Sequence, residues 1–216
     1  MLAASVNVRR HADCACALSL LLPQGPLNGY SRQPHLTTYR DGHTPSFIPR
    51  DHEVYSNVWL SSYHSGWTFD HDDGSSFFRD HHNLCLFGGF KSGTFGASGK
   101  VFAENFVLFP EHVSDLDGIY PNTNGPSGTR AGTCVQVLSN PGENWTGNIC
   151  VTTGAGTASC ARLVGGQNQY YCSHLSDCNV SACQQTGHEV GSVSHPLPSE
   201  PEIQAMVESF VARMPA

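Results

Sequence analysis

The sequence predicts an all-β chain, a right-handed parallel β-helix (solenoid) with a C-terminal amphipathic α-helix, and three observations predict it. Short apolar runs alternate with polar turns over residues 54–164, and none has the length or period of a helix. Two of these runs superpose on a shift of 22 residues, which lays Asn83-Leu84-Cys85-Leu86-Phe87 over Asn105-Phe106-Val107-Leu108-Phe109. Only the tail has helical spacing, with Ile203, Met206, Val207, Phe210, Val211 and Met214 on one face.

The elements follow in order. Residues 1–30 read as a degenerate leader or an irregular N-terminal segment: Arg9 and Arg10 precede a short apolar run at 15–22, but His11 and Asp13 sit at its edge. Residues 31–195 are assigned to the β-helix, with Cys-rich coils toward its C-terminal end. Within it, Thr44-Pro45 and Ile48-Pro49 deny helix to 34–51 and leave irregular or edge structure. The apolar runs then come at 54–60, 67–69, 84–87, 106–109, 134–138, 149–151 and 162–164. A period near 22 with a polar Asn at each strand entry suits coils that stack strand on strand, their Asn side chains satisfying backbone groups of the turns. Asn57-Val58-Trp59-Leu60, 26 residues before Asn83, reads as the preceding copy. Unrelated strands in a β-sandwich fit the spacing alone as well. Residues 196–216 form the closing helix, which Ser199 and Glu202 start with a capping box, and its apolar face packs on the side or end of the solenoid.

Composition bounds the function. The 216 residues suit one principal domain, and a net charge of −7 leaves no basic surface for a phosphate backbone, so nucleic acid is excluded as a partner. No apolar run approaches the roughly 18 residues of a membrane span. Six of nine cysteines (Cys134, Cys150, Cys160, Cys172, Cys178, Cys183) crowd residues 134–183, which points to disulfides and an oxidising compartment, with their connectivity open. No cysteine pair has the two-residue gap of a zinc knuckle. The sequons Asn144-Trp145-Thr146 and Asn179-Val180-Ser181 point the same way. The expectation is a secreted or cell-surface monomer.

Candidate chemistry gathers in one stretch. On a strand, Asp70 and Asp72 share one face while His71 and Asp73 share the other, and the two carboxylates lie roughly 6.6 Å apart. That distance is at the lower edge of the range for inverting glycoside hydrolysis. One of Asp70, Asp72 and Asp73 would then protonate the leaving oxygen and another activate water. His81 or His82 would steer the proton, Arg79 or Lys91 would bind an acidic sugar, and Trp67 would stack on it. A lyase alternative holds Ca²⁺ on Asp70, Asp72, Asp73 and Asp80; hydrolysis requires no cofactor. Asp72-Asp73-Gly74-Ser75 is equally ordinary turn chemistry, with Gly74 in a conformation closed to other residues.

The stretch Trp67-Thr68-Phe69-Asp70-His71-Asp72-Asp73-Gly74-Ser75 is followed by His82-Asn83, Gly88-Gly89, Lys91 and a closing Gly187-His188-Glu189-Val190-Gly191-Ser192. Together they resemble right-handed β-helix proteins of the pectin-lyase-like superfamily, in a branch with an Asp-His-Asp-Asp-Gly-Ser signature. The resemblance covers about residues 35–110 and 186–214. It implies a secreted or surface protein that acts on or binds a polysaccharide, and a chain that is the C-terminal portion of a longer architecture. The polygalacturonase branch pairs adjacent Asp residues with a His-Gly and an Arg-x-Lys; Asp72-Asp73 is present here and both companions are missing. The functional expectation is polysaccharide hydrolysis or elimination, and the alternative is a catalytically silent carbohydrate-binding or surface-structural protein. An open groove holding two of the carboxylates beside His81 or His82 would favour catalysis; carboxylates consumed by backbone hydrogen bonds would favour the alternative.

Overall fold

A computed structural model describes residues 27–29, 38–39, 45–46, 52–60, 67–71, 74–92, 99–112, 130–131, 134–137, 143–153 and 163–215. Three parallel sheets run the length of the molecule. The four-stranded sheet orders Leu27–Gly29, Trp67–His71, Gly89–Ser92 and Val135–Val137. The five-stranded sheet orders His52–Tyr55, Phe78–His81, Val101–Ala103, Glu143–Thr146 and Leu163–Val164. The six-stranded sheet orders Val58–Leu60, Leu84–Leu86, Phe106–Leu108, Ile149–Thr152, Gln169–Cys172 and Val193–Pro196. The chain visits the sheets in turn, so each circuit through Ile149–Thr152 adds one strand to each and stacks it parallel on the last, and the described strands beyond it extend only the five- and six-stranded sheets. This is a β-solenoid, and the parallel pairing excludes a sandwich of antiparallel hairpins.

The corner between the five- and six-stranded sheets explains why the coils keep register. It consists of two residues, and the first is left-handed in successive coils: Ser56, His82, Glu104 and Gly147, with φ of 55°, 55°, 53° and 66°. The second is asparagine every time. Asn83 Oδ1 accepts from the Asn57 backbone N–H at 3.2 Å, Asn105 Oδ1 from that of Asn83 at 3.0 Å, Asn148 Oδ1 from that of Asn105 at 2.9 Å, and Asn168 Oδ1 from that of Asn148 at 2.8 Å. Ser192 Oγ ends the ladder by accepting from the Asn168 N–H. Asn83 and Asn105 therefore occupy equivalent places on neighbouring coils, as the 22-residue shift predicts, and Asn57 precedes them.

Inside the coils, Phe69 stacks on Phe90 with centroids 4.6 Å apart, and Phe102, Trp145 and Trp59 complete an aromatic column. Two polar pairs share this interior: His71 Nε2 with Asp80 Oδ2 at 2.5 Å, and Lys100 Nζ with Glu143 Oε1 at 3.2 Å, all essentially inaccessible. Burial lowers the Lys100 pKa, and Glu143 and Asp80 oppose that shift. Cys134 and Cys150 form a disulfide in this core, and a second joins Cys172 to Cys178 in the 3-10 turn Leu175–Cys178. Cys183 is disulfide-bonded too, and Cys85 is the free cysteine among the described residues.

The helix Glu200–Ala212 lies on the outer side of the six-stranded sheet. Phe210 meets Phe106 edge-on at 5.5 Å, and Ile203, Met206 and Val207 pack with it over Leu84, Leu108 and Val151. Its capping box forms as the sequence predicts: Ser199 N–H donates to Glu202 Oε2 at 2.8 Å. The hydrogen bonds from Ser199 hold the Glu202 carboxyl below its ordinary pKa.

Candidate functional site

Strand alternation divides the five-stranded sheet. Val54, Asp80, Phe102 and Trp145 point inward, so Glu53 and Tyr55, Arg79 and His81, Val101 and Ala103 point out. Register then stacks Glu53 on Arg79 and Tyr55 on His81. The Tyr55 and His81 rings lie parallel, 1° from coplanar, with centroids 5.0 Å apart. His81 Nδ1 is 2.9 Å from His82 Nδ1, and His82 Nε2 is 2.6 Å from Glu104 Oε2. His82 and Glu104 face solvent, with side chains 29% and 60% exposed.

This row has a definite hydrogen-bond logic. A carboxylate can only accept, so Glu104 requires the proton on His82 Nε2. With a single proton on the His82 ring, its Nδ1 accepts, His81 donates from Nδ1, and His81 Nε2 keeps its lone pair. Burial, followed by His82 and Arg79, lowers the His81 pKa below its ordinary 6.5, against smaller opposing effects of Glu53 and Asp80. The result is a neutral imidazole base on an otherwise charged, ring-bearing face.

The other candidates from the sequence lie elsewhere. Asp70 stands on the side of the four-stranded sheet opposite Phe69 and His71, directly across from Lys91. Lys91 Nζ approaches Asp70 Oδ1 at 2.8 Å, and the two side chains are only 10% and 4% exposed. The candidate acid and the candidate sugar-binding cation are thus each other's partners. Asp80 lies inside the solenoid against His71, and Trp59 and Phe90 fill the core. Asp72, Asp73 and the Trp67 side chain lie outside the described residues, as do Cys160 and residues 1–26 of the leader assignment. Gly74 has φ of 78°, and Ser76 Oγ donates to its carbonyl, which is the turn chemistry expected of it. Among the described residues no group of three or more His, Cys, Asp or Glu converges as metal ligands, and Asp70 and Asp80 belong to different sheets.

Sequence reasoning missed Glu53, Tyr55 and Glu104. The signal was the repeat itself. With Asn57, Asn83 and Asn105 aligned, the preceding position reads Ser56, His82, Glu104, and the one before it Tyr55, His81, Ala103.

Comparison with known proteins finds no matching family model, no matching curated protein and no matching solved structure.

Proposed function

We propose that this chain is a carbohydrate-active β-helix protein of the pectin-lyase-like kind, secreted or displayed at the cell surface, that binds a polysaccharide along the outer face of the five-stranded sheet. One observation carries the reading: Glu53, Arg79, Tyr55, His81, His82 and Glu104 form a single outward row across three coils. A guanidinium offers paired donors to a uronate carboxylate, and the stacked Tyr55–His81 rings offer an aromatic surface beside it. The disulfides are compatible with an extracellular location, and no described helix is long and apolar enough to cross a membrane.

Binding is favoured over Asp-based hydrolysis because Asp70, the described carboxylate of that mechanism, is engaged by Lys91, and Asp80, of the calcium alternative, is engaged by His71. Calcium-dependent elimination would have to break both pairs before Asp70 and Asp80 could join Asp72 and Asp73 around an ion. The Glu104–His82–His81 row favours a second reading, acid/base processing, in which His81 Nε2 takes a proton.

The test is a panel of neutral and uronate polysaccharides, read for retention, for reducing ends and for unsaturated-uronate absorbance. Retention of a uronate polymer that falls about ten-fold, ~1.4 kcal/mol, in Arg79→Gln supports the binding face. Release of reducing ends or absorbance, lost in His81→Gln, supports catalysis. No retention of any polymer by the folded protein overturns the reading.

A further inference from the structure

The two sequons differ in ways that their letters do not show. Asn144 lies within the strand Glu143–Thr146, flanked by the buried Glu143 and Trp145. Its backbone N–H donates to the Lys100 carbonyl, and its Oδ1 is sealed from solvent without a hydrogen bond. Thr146, whose hydroxyl completes the triplet, donates that hydroxyl to the Gly166 carbonyl of the next coil at 2.9 Å. The triplet is extended, and its Asn144 backbone N–H and Thr146 hydroxyl are bonded to neighbouring coils.

Asn179 is exposed and stands between the 3-10 turn Leu175–Cys178 and the short helix Ser181–Gln185. Its Oδ1 accepts the Ser181 backbone N–H at 2.9 Å, an Asx-turn across the whole triplet. Its Nδ2 has no hydrogen bond among the described residues, and neither does the Ser181 hydroxyl. Because the Asx-turn is closed within the three residues of the triplet, it can form in a nascent chain before any coils stack.

Beside it opens a cleft of about 470 Å³, lined by Leu175, Asn179, Val193 and Ser194 among others. Leu175 and Val193 are 52% and 48% exposed, an apolar floor next to polar hydroxyls. Val193–Pro196 is also the last strand of its sheet among the described residues, where it pairs with Gln169–Cys172 alone, and such an edge invites pairing with another chain.

We infer that Asn179 is an N-glycosylation site, that Asn144 is not, and that the first sugar of the glycan lies over the cleft and the open strand edge. The donor is a lipid-linked oligosaccharide of the secretory compartment. Asn179 Nδ2 attacks C1 of the reducing-end sugar; the N–C1 bond forms, the C1–O bond to the lipid diphosphate breaks, and the Nδ2 proton leaves to the transferase base.

The test secretes the full chain from a eukaryotic host and treats it with peptide-N-glycosidase. Intact mass and peptide mapping then locate the Asn-to-Asp conversion that release leaves behind. The expected result is one glycan, converted at Asn179, absent from Asn179→Gln and retained by Asn144→Gln. Conversion at Asn144, alone or with Asn179, overturns the inference, as does secreted, folded protein with no mass shift. Saccharide binding at the Arg79 face is read separately, so neither result decides the other.

Discussion

Asn105 Oδ1 accepts from both the backbone and the side-chain amide of Asn83, while its own Nδ2 donates to the Asp80 carbonyl and to Asn148 Oδ1. All four contacts are buried, so no water can replace a lost partner. Asn105→Ala is therefore expected to cost about 2–4 kcal/mol, from ~1–3 kcal/mol for each stranded polar group, read as a lower urea midpoint at unchanged slope. A loss below ~0.5 kcal/mol would show that the ladder decorates the corner without holding it. Cys85 makes a second residue-scale test, because burial raises its thiol pKa well above the ordinary 9.0, and the Asp80 charge adds to this. A group with a raised folded pKa contributes stability that is complete below the unfolded value and is lost as pH climbs toward the folded one. Tyr170, raised well above 10.0 by burial and by Glu189, acts in the same direction. The urea midpoint is expected to fall above about pH 9, and more gently in Cys85→Ala. An identical decline in that variant would remove Cys85 from the account.

At the scale of the element, the closing helix depends on its fit to the six-stranded sheet more than on its own propensity, since 13 residues are marginal as an isolated helix. Phe210 is the buried contact, so Phe210→Ala is expected to cost about 3–5 kcal/mol and to raise binding of an apolar dye as Phe106 and Leu108 become exposed. Unchanged dye binding would mean that the helix holds by other contacts. This helix was legible in the sequence because period and cap agreed. The ladder was legible only where coil length repeats: Asn83 to Asn105 is 22 residues, whereas Asn105 to Asn148 is 43 and Asn148 to Asn168 is 20. A long excursion and a shortened coil hid two of its five asparagines. The partners of Asp70 were hidden by a single residue. Trp67 pairs with Gly89, a step of 22, but Phe69 pairs with Phe90, a step of 21, because Thr68 bulges. A uniform shift sets Asp70 opposite Ser92; the bulge sets it opposite Lys91 and turns a candidate acid into half of an ion pair. His81 and His82 were legible as candidates because they follow the acidic stretch as groups able to steer its proton, but their partners Tyr55 and Glu104 lie one coil away on either side, where chemistry follows from register and not from neighbouring letters.

Over the whole molecule, each coil touches only the coils before and after it, so stability is a chain of nearest-neighbour terms and need not be lost in one step. Cys134–Cys150 crosslinks the coil that follows the long excursion, across a separation of 16 residues, and a closed loop of that size stabilises by about 3 kcal/mol. Upstream coils have no such staple among the described residues; they rely on the Phe69–Phe90 stack, the His71–Asp80 pair and the Asn corners. Downstream, the strands Leu163–Val164 and Gln169–Cys172 rest directly on the stapled coil, and the end cap around Glu189 rests on Asn168 and Tyr170 in turn. Cys134→Ala/Cys150→Ala should therefore loosen the molecule from that coil toward its C-terminal end. Hydrogen exchange is expected to lose protection over 143–152, 163–172 and 193–196, while 78–86 and 101–108 stay protected. The helix Glu200–Ala212 complicates that split usefully, because it spans sheet rows from both parts, Leu84 and Phe106 as well as Val151. If it transmits strain, its own amides will exchange at an intermediate rate. Equal loss of protection in every strand would instead mean that the solenoid unfolds as one unit and that the nearest-neighbour description fails for a stack this short.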